Sequence, residues 1–495
     1  MDSVLVVGAG PTGLVLAGEL AMRGVPVEVV EQQPAPSGQS RGGGVNARTS
    51  EVLAMRGLYD AMRARSLSRE GSVGHFAGLP VELDHRPWRS RHPGMMIPQD
   101  RMEAVFEEHL AGLGVRVRRS TTVAGIDTDA AGARVTADGP DGPVELTARW
   151  LVACDGGHST VRSLTGTPFP GRPGTMSAVS ADVELTAVSE TVPQKVQHLS
   201  AHTRSGGDAW MMTHPLGDGV YRIVFSSPEQ HRRDRRSPVG DDEIARALTA
   251  VHGPGTVLGR VLWATRFSDA TRQVEHYRAG PVLFAGDAAH IHPPPGGQGL
   301  NLGVQDAMNL GWKLAAVCAG TAPDGLIDSY HDERHPVGAR VIQTARAQMV
   351  IMTPPDDAAE VRALREIVLD MARLPDGNRY LTGRMSGLDL HYDLGSDHPL
   401  VGGRMPDLDL VIDAGPTTVF ELLRTGNGLL LDLGAGSAPV AVPAGVDQVA
   451  AQVTGAGVDA ERVLVRPDGY VAWCGAASDD PAPALARWFA VPVSS

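Results

Sequence analysis

Short apolar runs that stop at glycine alternate along the chain with longer stretches of helical period. The first run, "SVLVV" over 3–7, breaks at Gly8 and Gly10. From Pro11 onward Leu14, Leu16, Ala17, Leu20 and Ala21 supply an apolar face that ends at Gly24, and "VPVEVVEQ" resumes as a strand. The pattern predicts strand, tight turn, helix and strand. In that context Gly8, Gly10 and Gly13 take the positions of a dinucleotide fingerprint: a sharp turn, close approach of a pyrophosphate to backbone, and close packing of helix on sheet. Glu31 closes the second strand, where a carboxylate would hold an adenosine ribose. A carboxylate there disfavours a 2'-phosphate and suits FAD or NAD, without choosing between them.

Arg41 and Arg48 then flank a run of glycines, with a helix predicted from near Thr49 or Ser50. A further helix carries Met102, Val105, Phe106 and Leu110, and a strand follows from Val115 to Val123. "RWLVACDGGHSTVR" reads as a strand over 150–154 that ends in Asp155, Gly156 and Gly157 before a helix at Ser159. A carboxylate at such a strand end can meet a ligand at the edge of an open sheet. Between about 176 and 274 the texture changes to short strand-like runs with polar turns, predicting an inserted antiparallel sheet whose inner face could roof a pocket. "GPVLFAGDAAH" returns to the first pattern, with a strand over 281–285 and Asp287 at its end. The glycines from Gly296 to Gly303 lead into a helix containing Val304, Ala307, Met308, Leu310 and Trp312, whose starting amides could hold an anionic or carbonyl oxygen. Pro293, Pro294 and Pro295 form a rigid wall suited to a planar ring.

Length and composition narrow the class. A chain of 495 residues exceeds one hydrophobic core, so about two or three domains are expected. A formal charge of -13 argues against general affinity for nucleic acid or anionic lipid. Cys154, Cys318 and Cys474 lie far apart without CxxC or metal-ligand spacing, which supports neither a disulfide framework nor a metal site. His290 and His292 alone are poor evidence for a metal or a proton relay. With no charged leader and no apolar run of the ~18 residues a membrane span needs, a cytoplasmic protein is expected.

Three stretches, "VVGAGPTGLVLAGEL", "LVACDGGHSTVR" and "LFAGDAAHIHPPPGGQGLNLGVQDAMNLGWKLA", closely resemble the class A FAD-dependent aromatic hydroxylases, in particular the bacterial branch acting on aromatic polyketides. The resemblance implies an α/β fold: a Rossmann-like FAD-binding domain over 1–175 and 275–390, an antiparallel-sheet substrate domain over 176–274, and a thioredoxin-like C-terminal domain over 391–495 without its redox CxxC. It places Gly8, Gly10 and Gly13 at the FAD pyrophosphate and Glu31 at the adenosine ribose, and counts Pro11, Thr12 and Gln32 among the cofactor-binding residues. Arg41 and Gln99 would lie toward the phosphate and ribityl parts, Val123 at the adenine through its backbone, and Asp287 at the ribityl chain. Pro294, Gly299, Leu300 and Asn301 would line the isoalloxazine, with the amides of Leu300 and Asn301 at its C2 carbonyl. Asp155 and Gly156 match a motif that organises FAD and the visiting nicotinamide.

The implied reaction is hydroxylation of a multi-ring phenolic polyketide by a flavin C4a-hydroperoxide, with NADPH or NADH as transient cosubstrate and O2 as oxidant. Baeyer-Villiger insertion into a polyketide ketone, oxidative inactivation of an aromatic antibiotic, and a non-enzymatic flavin sensor are the alternatives. No residue is identified as a catalytic base, no metal is expected, and members of the family occur as monomers or homodimers.

Overall fold

The computed structural model describes residues 2–36, 38, 42–67, 74–234, 237–352, 359–434 and 440–489. Arg41, one of the expected phosphate ligands, lies outside them.

A six-stranded sheet forms the base of the molecule, in the spatial order Arg278–Ala279, Val282–Phe284, Trp150–Ala153, Val4–Val7, Val27–Val30, Val117–Arg118. All neighbours pair in parallel except the edge strand Arg278–Ala279. The central strands are fully buried, which is why they read as continuous apolar runs rather than alternating ones. The first helix, Pro11–Ala21, and the long helix Gln298–Ala319 pack closely over this sheet. A Cβ at Gly303 would overlap Thr12 Oγ1 and one at Gly311 would overlap Glu19 Cβ, so small residues two turns apart let the helices meet.

Local differences from the sequence pattern have clear causes. The strand expected to run to Val123 stops at Arg118, because Ser120 adopts a left-handed φ of 52°. The chain restarts as an antiparallel three-stranded sheet, Thr122–Asp129, Gly132–Gly139 and Gly142–Ala148. Asp129 Oδ1 closes the first hairpin by accepting from the amides of Ala131 (2.7 Å) and Gly132 (3.2 Å). The helix expected near Thr49 begins at Ala47, since Asn46 caps it by accepting from the Thr49 amide at 2.9 Å.

Above the base lies a five-stranded antiparallel sheet in the order Thr203–Gly206, Ala209–Gly217, Val220–Ser226, Ser177–Ala187, Val257–Ser268. Its two faces separate by residue parity. Met211, Ile223, Phe225, Val179 and Ala181 share a buried cluster with Ile244 and Leu248 of the helix Asp241–His252. The opposite face looks down toward the base.

The last part of the chain folds as a mixed four-stranded sheet, Val446–Ala450, Gly428–Asp432, Arg462–Val465 and Val471–Gly475, with the helix Ala482–Trp488. It is clamped to the rest by buried ions. Arg466 reaches both oxygens of Glu333 at 2.7 Å, Lys313 Nζ joins the same carboxylate at 2.9 Å, and Arg56 pairs with Glu19 while donating to the Leu423 and Pro467 carbonyls. Lys313 sits on the long helix, so the clamp also fixes the helix whose opposite end enters the site.

Candidate active site

A single cavity of about 1670 Å³ lies between the base sheet, the start of the long helix and the inner face of the antiparallel sheet. At its nucleotide end the strand Val4–Val7 turns into the first helix. Gly8 has a φ of +104°, and a Cβ there would overlap the Cys154 carbonyl; one at Gly13 would overlap the Gly8 carbonyl. Gly13 therefore sits behind the cavity wall as a packing residue. Gly10 is different: a Cβ there would meet no protein atom within 4 Å. Its helix has no side-chain cap and no acidic residue in its first turn, which leaves amides free for an anion.

Glu31 lines the cavity and accepts from the amides of Ala9 and Gln33, each at 2.9 Å, so the carboxylate shapes the turn as well as facing the ligand space. Pro11, Thr12, Gln32, Val123 and Gly156 also border the cavity. Asp155 accepts from the Val161 amide at 3.1 Å through Oδ2, while its other oxygen is buried with no protein partner and burial raises its carboxyl above the ordinary range. A buried orphan oxygen on a cavity wall is a place for a ligand donor.

The long helix closes the other side. It starts at Gln298, so Gly299, Leu300 and Asn301 form its first turn rather than a preceding loop. Gly297 precedes it with a φ of +61° and no side chain caps it, leaving the amide nest open toward the cavity. Asn301 and Gln99 are largely spent on protein contacts. Asn301 accepts from the Asn46 amide at 2.8 Å and donates to the Gly44 and Gly297 carbonyls, while Gln99 Oε1 accepts from the Gly42 amide at 3.0 Å. Together they pin the 42–46 loop against the helix. Gln99 also donates to Glu103 at 2.8 Å, whose carboxyl burial pushes up to about 7.

Asp287 lies in the turn Gly286–Ala288 and lines the cavity, as does Pro294, and the position of a Cβ on Gly299 is 3.9 Å from its Oδ1. Asp306 holds this turn from below. It accepts from the Gly286 amide at 3.2 Å, His290 Nε2 at 2.7 Å and Arg334 Nε at 2.8 Å. Burial alone would raise the Asp306 carboxyl; Arg334 and His290 more than reverse this and hold it below the ordinary range. His290 is thereby a structural partner. His292 donates from Nδ1 to the Pro293 carbonyl at 2.9 Å, leaving Nε2 buried without a protein partner near Gly299, and burial lowers the ring below the ordinary histidine range. Among the described residues no group of three or more His, Cys, Asp or Glu side chains is placed to hold a metal ion, and no helix is long and apolar enough to cross a membrane.

The inner face of the antiparallel sheet forms the roof. Ser180, Met212, Val224, Thr265 and Phe267 line it together with His214, Arg222 and Trp263, and Asp182 joins them from the neighbouring strand outside the lining, a polar group that sequence reasoning did not find. Arg222 makes a two-pronged bond to Asp182, 2.8 Å at each oxygen, and the Trp263 indole donates to Asp182 at 2.7 Å. The four come from strands up to about 80 residues apart, so only the pairing register brings them together.

A Rossmann-like base with an uncapped βα turn, a second capless helix start beside a proline wall, and a roofed cavity between them define a flavin-binding oxygenase of the aromatic hydroxylase class. Comparison with known proteins agrees. The family described as "FAD binding domain" matches residues 1–345, and "Aromatic-ring hydroxylase, C-terminal" matches 398–492. The chain belongs to this family of FAD-dependent aromatic monooxygenases. It is 42% identical over 506 residues to a 12-dehydrotetracycline 5-monooxygenase/anhydrotetracycline 6-monooxygenase of Streptomyces rimosus, covering 99% of each. A dialkyldecalin synthase of Streptomyces rugosporus is 38% identical over 488 residues, again covering 99% of each chain. The solved structure of the anhydrotetracycline hydroxylase OxyS from Streptomyces rimosus superposes with a TM-score of 0.88 at 39% identity, over 99% of this chain and all of that one.

Proposed function

We propose that the protein hydroxylates a multi-ring phenolic polyketide, with electrons from NADPH or NADH and one atom of O2. The observation that carries this reading is the continuity of the cavity. At about 1670 Å³ it exceeds the usual range of small-molecule pockets, roughly 300–1,000 Å³, and runs from the nucleotide cradle to the roof. It therefore has room for an extended dinucleotide and a bulky planar substrate side by side.

FAD, when bound, would accept hydride from the nicotinamide and activate O2 for transfer to an electron-rich ring. The Gly8–Gly10 turn and the first helix would take the pyrophosphate, Glu31 and Val123 the adenosine end, and Asp287 the ribityl chain. Pro294 would border the flavin ring, and the Leu300 and Asn301 amides would favour negative charge at its C2 oxygen. Asp155 and Gly156 line the same cavity and would order the cofactor through the free carboxylate oxygen. Met176, Val224, Phe267, Met349, Met352 and Met385 give the substrate end an apolar wall that excludes water.

The C-terminal part we read as a thioredoxin-like domain, on its mixed four-stranded sheet and packed helix. Cys474 is alone there and burial raises its thiol to about 11, so its role is structural: the ion clamp steadies the long helix.

The reading is tested by following NADPH and NADH oxidation and oxygen uptake by the FAD-loaded protein across polycyclic phenols and ketones, with product structures from NMR. Substrate-stimulated oxidation that yields a new C–OH on an aromatic ring is expected. Ring expansion to a lactone or ester would replace hydroxylation with Baeyer-Villiger chemistry, and product formed without reductant would contradict both.

A further inference from the structure

The roof offers a polar site that the cofactor does not account for. His214 and Arg222 face each other across paired strands, and Asp182 and Trp263 follow on the same face in the next two strands. Both His214 and Arg222 are 8% exposed. Arg222 spends Nε and Nη2 on Asp182, and no protein acceptor among the described residues takes Nη1. Nη1 looks toward the loop that borders the cofactor region: a Cβ on Gly43 would lie 3.9 Å from it. His214 Nε2 is buried with no protein partner. The neighbouring His202 is fully engaged, with Nδ1 3.0 Å from the Thr213 carbonyl and Nε2 accepting from the Gln197 amide at 2.8 Å.

We propose that His214 and Arg222 together bind one hydroxyl oxygen of the substrate and thereby orient its ring toward the flavin region; this rests on the reading of the cavity as a phenol hydroxylase site. The charge balance selects the chemistry. Arg222 is matched by Asp182, so the group has no net charge with which to draw a carboxylate or phosphate out of water. Burial, His202 and Arg222 pull the His214 ring down to about 4, so at neutral pH it is an uncharged imidazole. What remains is the unspent Nη1 of Arg222, with its two N–H groups, and the His214 ring, neither of whose nitrogens has a protein partner among the described residues. A phenol satisfies both: its O–H donates to the imidazole, and its oxygen accepts from Nη1. As the ring attacks an electrophilic oxygen its hydroxyl becomes more acidic, and the guanidinium N–H strengthens on the same atom. His214 and Arg222 are in this account positioning residues that set which ring, and which edge of it, is oxidised.

The test is equilibrium titration of the FAD-loaded protein, followed by flavin absorption, with 2-hydroxyanthraquinone and 2-methoxyanthraquinone as a matched pair. The hydroxyl ligand is expected to bind at least about tenfold more tightly, since the ether leaves a buried acceptor unmet. In His214→Leu that preference should fall to within about twofold through loss of hydroxyl affinity alone, and His214→Gln, which keeps a polar partner, should retain an intermediate preference. Melting temperature and FAD content of each variant separate this from general damage. Equal affinity for the two ligands in the native protein overturns the proposal, and decides it even if the leucine variant fails to load FAD. A preference that survives His214→Leu also overturns it, as does a pair of ligands that leaves the flavin spectrum unchanged. Turnover of phenols without a hydroxyl preference would leave the hydroxylase reading standing, whereas a hydroxyl preference without oxygenation of any phenol would do the reverse.

Discussion

At Gly10 an added Cβ meets only empty cavity, whereas at Gly8 and Gly13 it meets backbone oxygen, and the three glycines of one motif therefore answer to different forces. Gly10 has a φ of -77°, open to any residue, so Gly10→Ala should leave the melting temperature of the apoprotein within about 2 °C of native. It should nevertheless weaken FAD binding at least about tenfold, because in the proposed placement the methyl would occupy the pyrophosphate's space. Gly8→Ala adds backbone strain of about 1–3 kcal/mol to its overlap with Cys154 and should fail to yield folded, FAD-containing protein. Thermal melting and equilibrium FAD titration separate the two outcomes; native FAD affinity in Gly10→Ala would contradict the placement of the pyrophosphate. These glycines were legible in the sequence because turn, helix and spacing are all local. His214 and Arg222 were not, since neither belongs to a local motif and each reads as one polar residue in a half-buried strand. Their chemistry arises only when strand pairing sets them opposite one another.

Asp306 shows what packing adds at the scale of elements. In the sequence it is one polar position in the helix Gln298–Ala319. In the fold it is fully buried and ties the Gly286–Ala288 turn, His290 and Arg334 to that helix. Asp306→Asn leaves Arg334 without its countercharge and should cost about 3–5 kcal/mol in denaturant unfolding. Since the same turn carries Asp287, FAD content should fall with it. Unfolding at the native denaturant midpoint, with full flavin content, would show that this hub neither stabilises the fold nor positions the turn. The opening strand and helix, the strand ends at Asp155 and Asp287 and the inserted antiparallel sheet could all be read from apolar period and glycine punctuation. The hairpins over 122–148 were missed because Ser120 ends the preceding strand by a backbone conformation that no side-chain pattern announces. His290 stayed unassigned for a related reason: its partner lies 16 residues away on another element.

Across the whole molecule, two segments about 280 residues apart border one cavity, a sheet inserted between them roofs it, and a terminal domain locks the long helix from behind. That arrangement explains why the Gly8–Gly13 turn alone could not choose between FAD and NAD. In the proposed reading the distinguishing chemistry would sit at the other half, in Asp287, the proline wall and the Gly299–Asn301 turn. The most direct test of oxygen transfer is turnover of a polycyclic phenol by the FAD-loaded protein under 18O2, with mass spectrometry of the isolated product. One labelled oxygen per product, with NADPH or NADH consumed in step, is the predicted result. A product formed with no label and no reductant consumed would contradict the account.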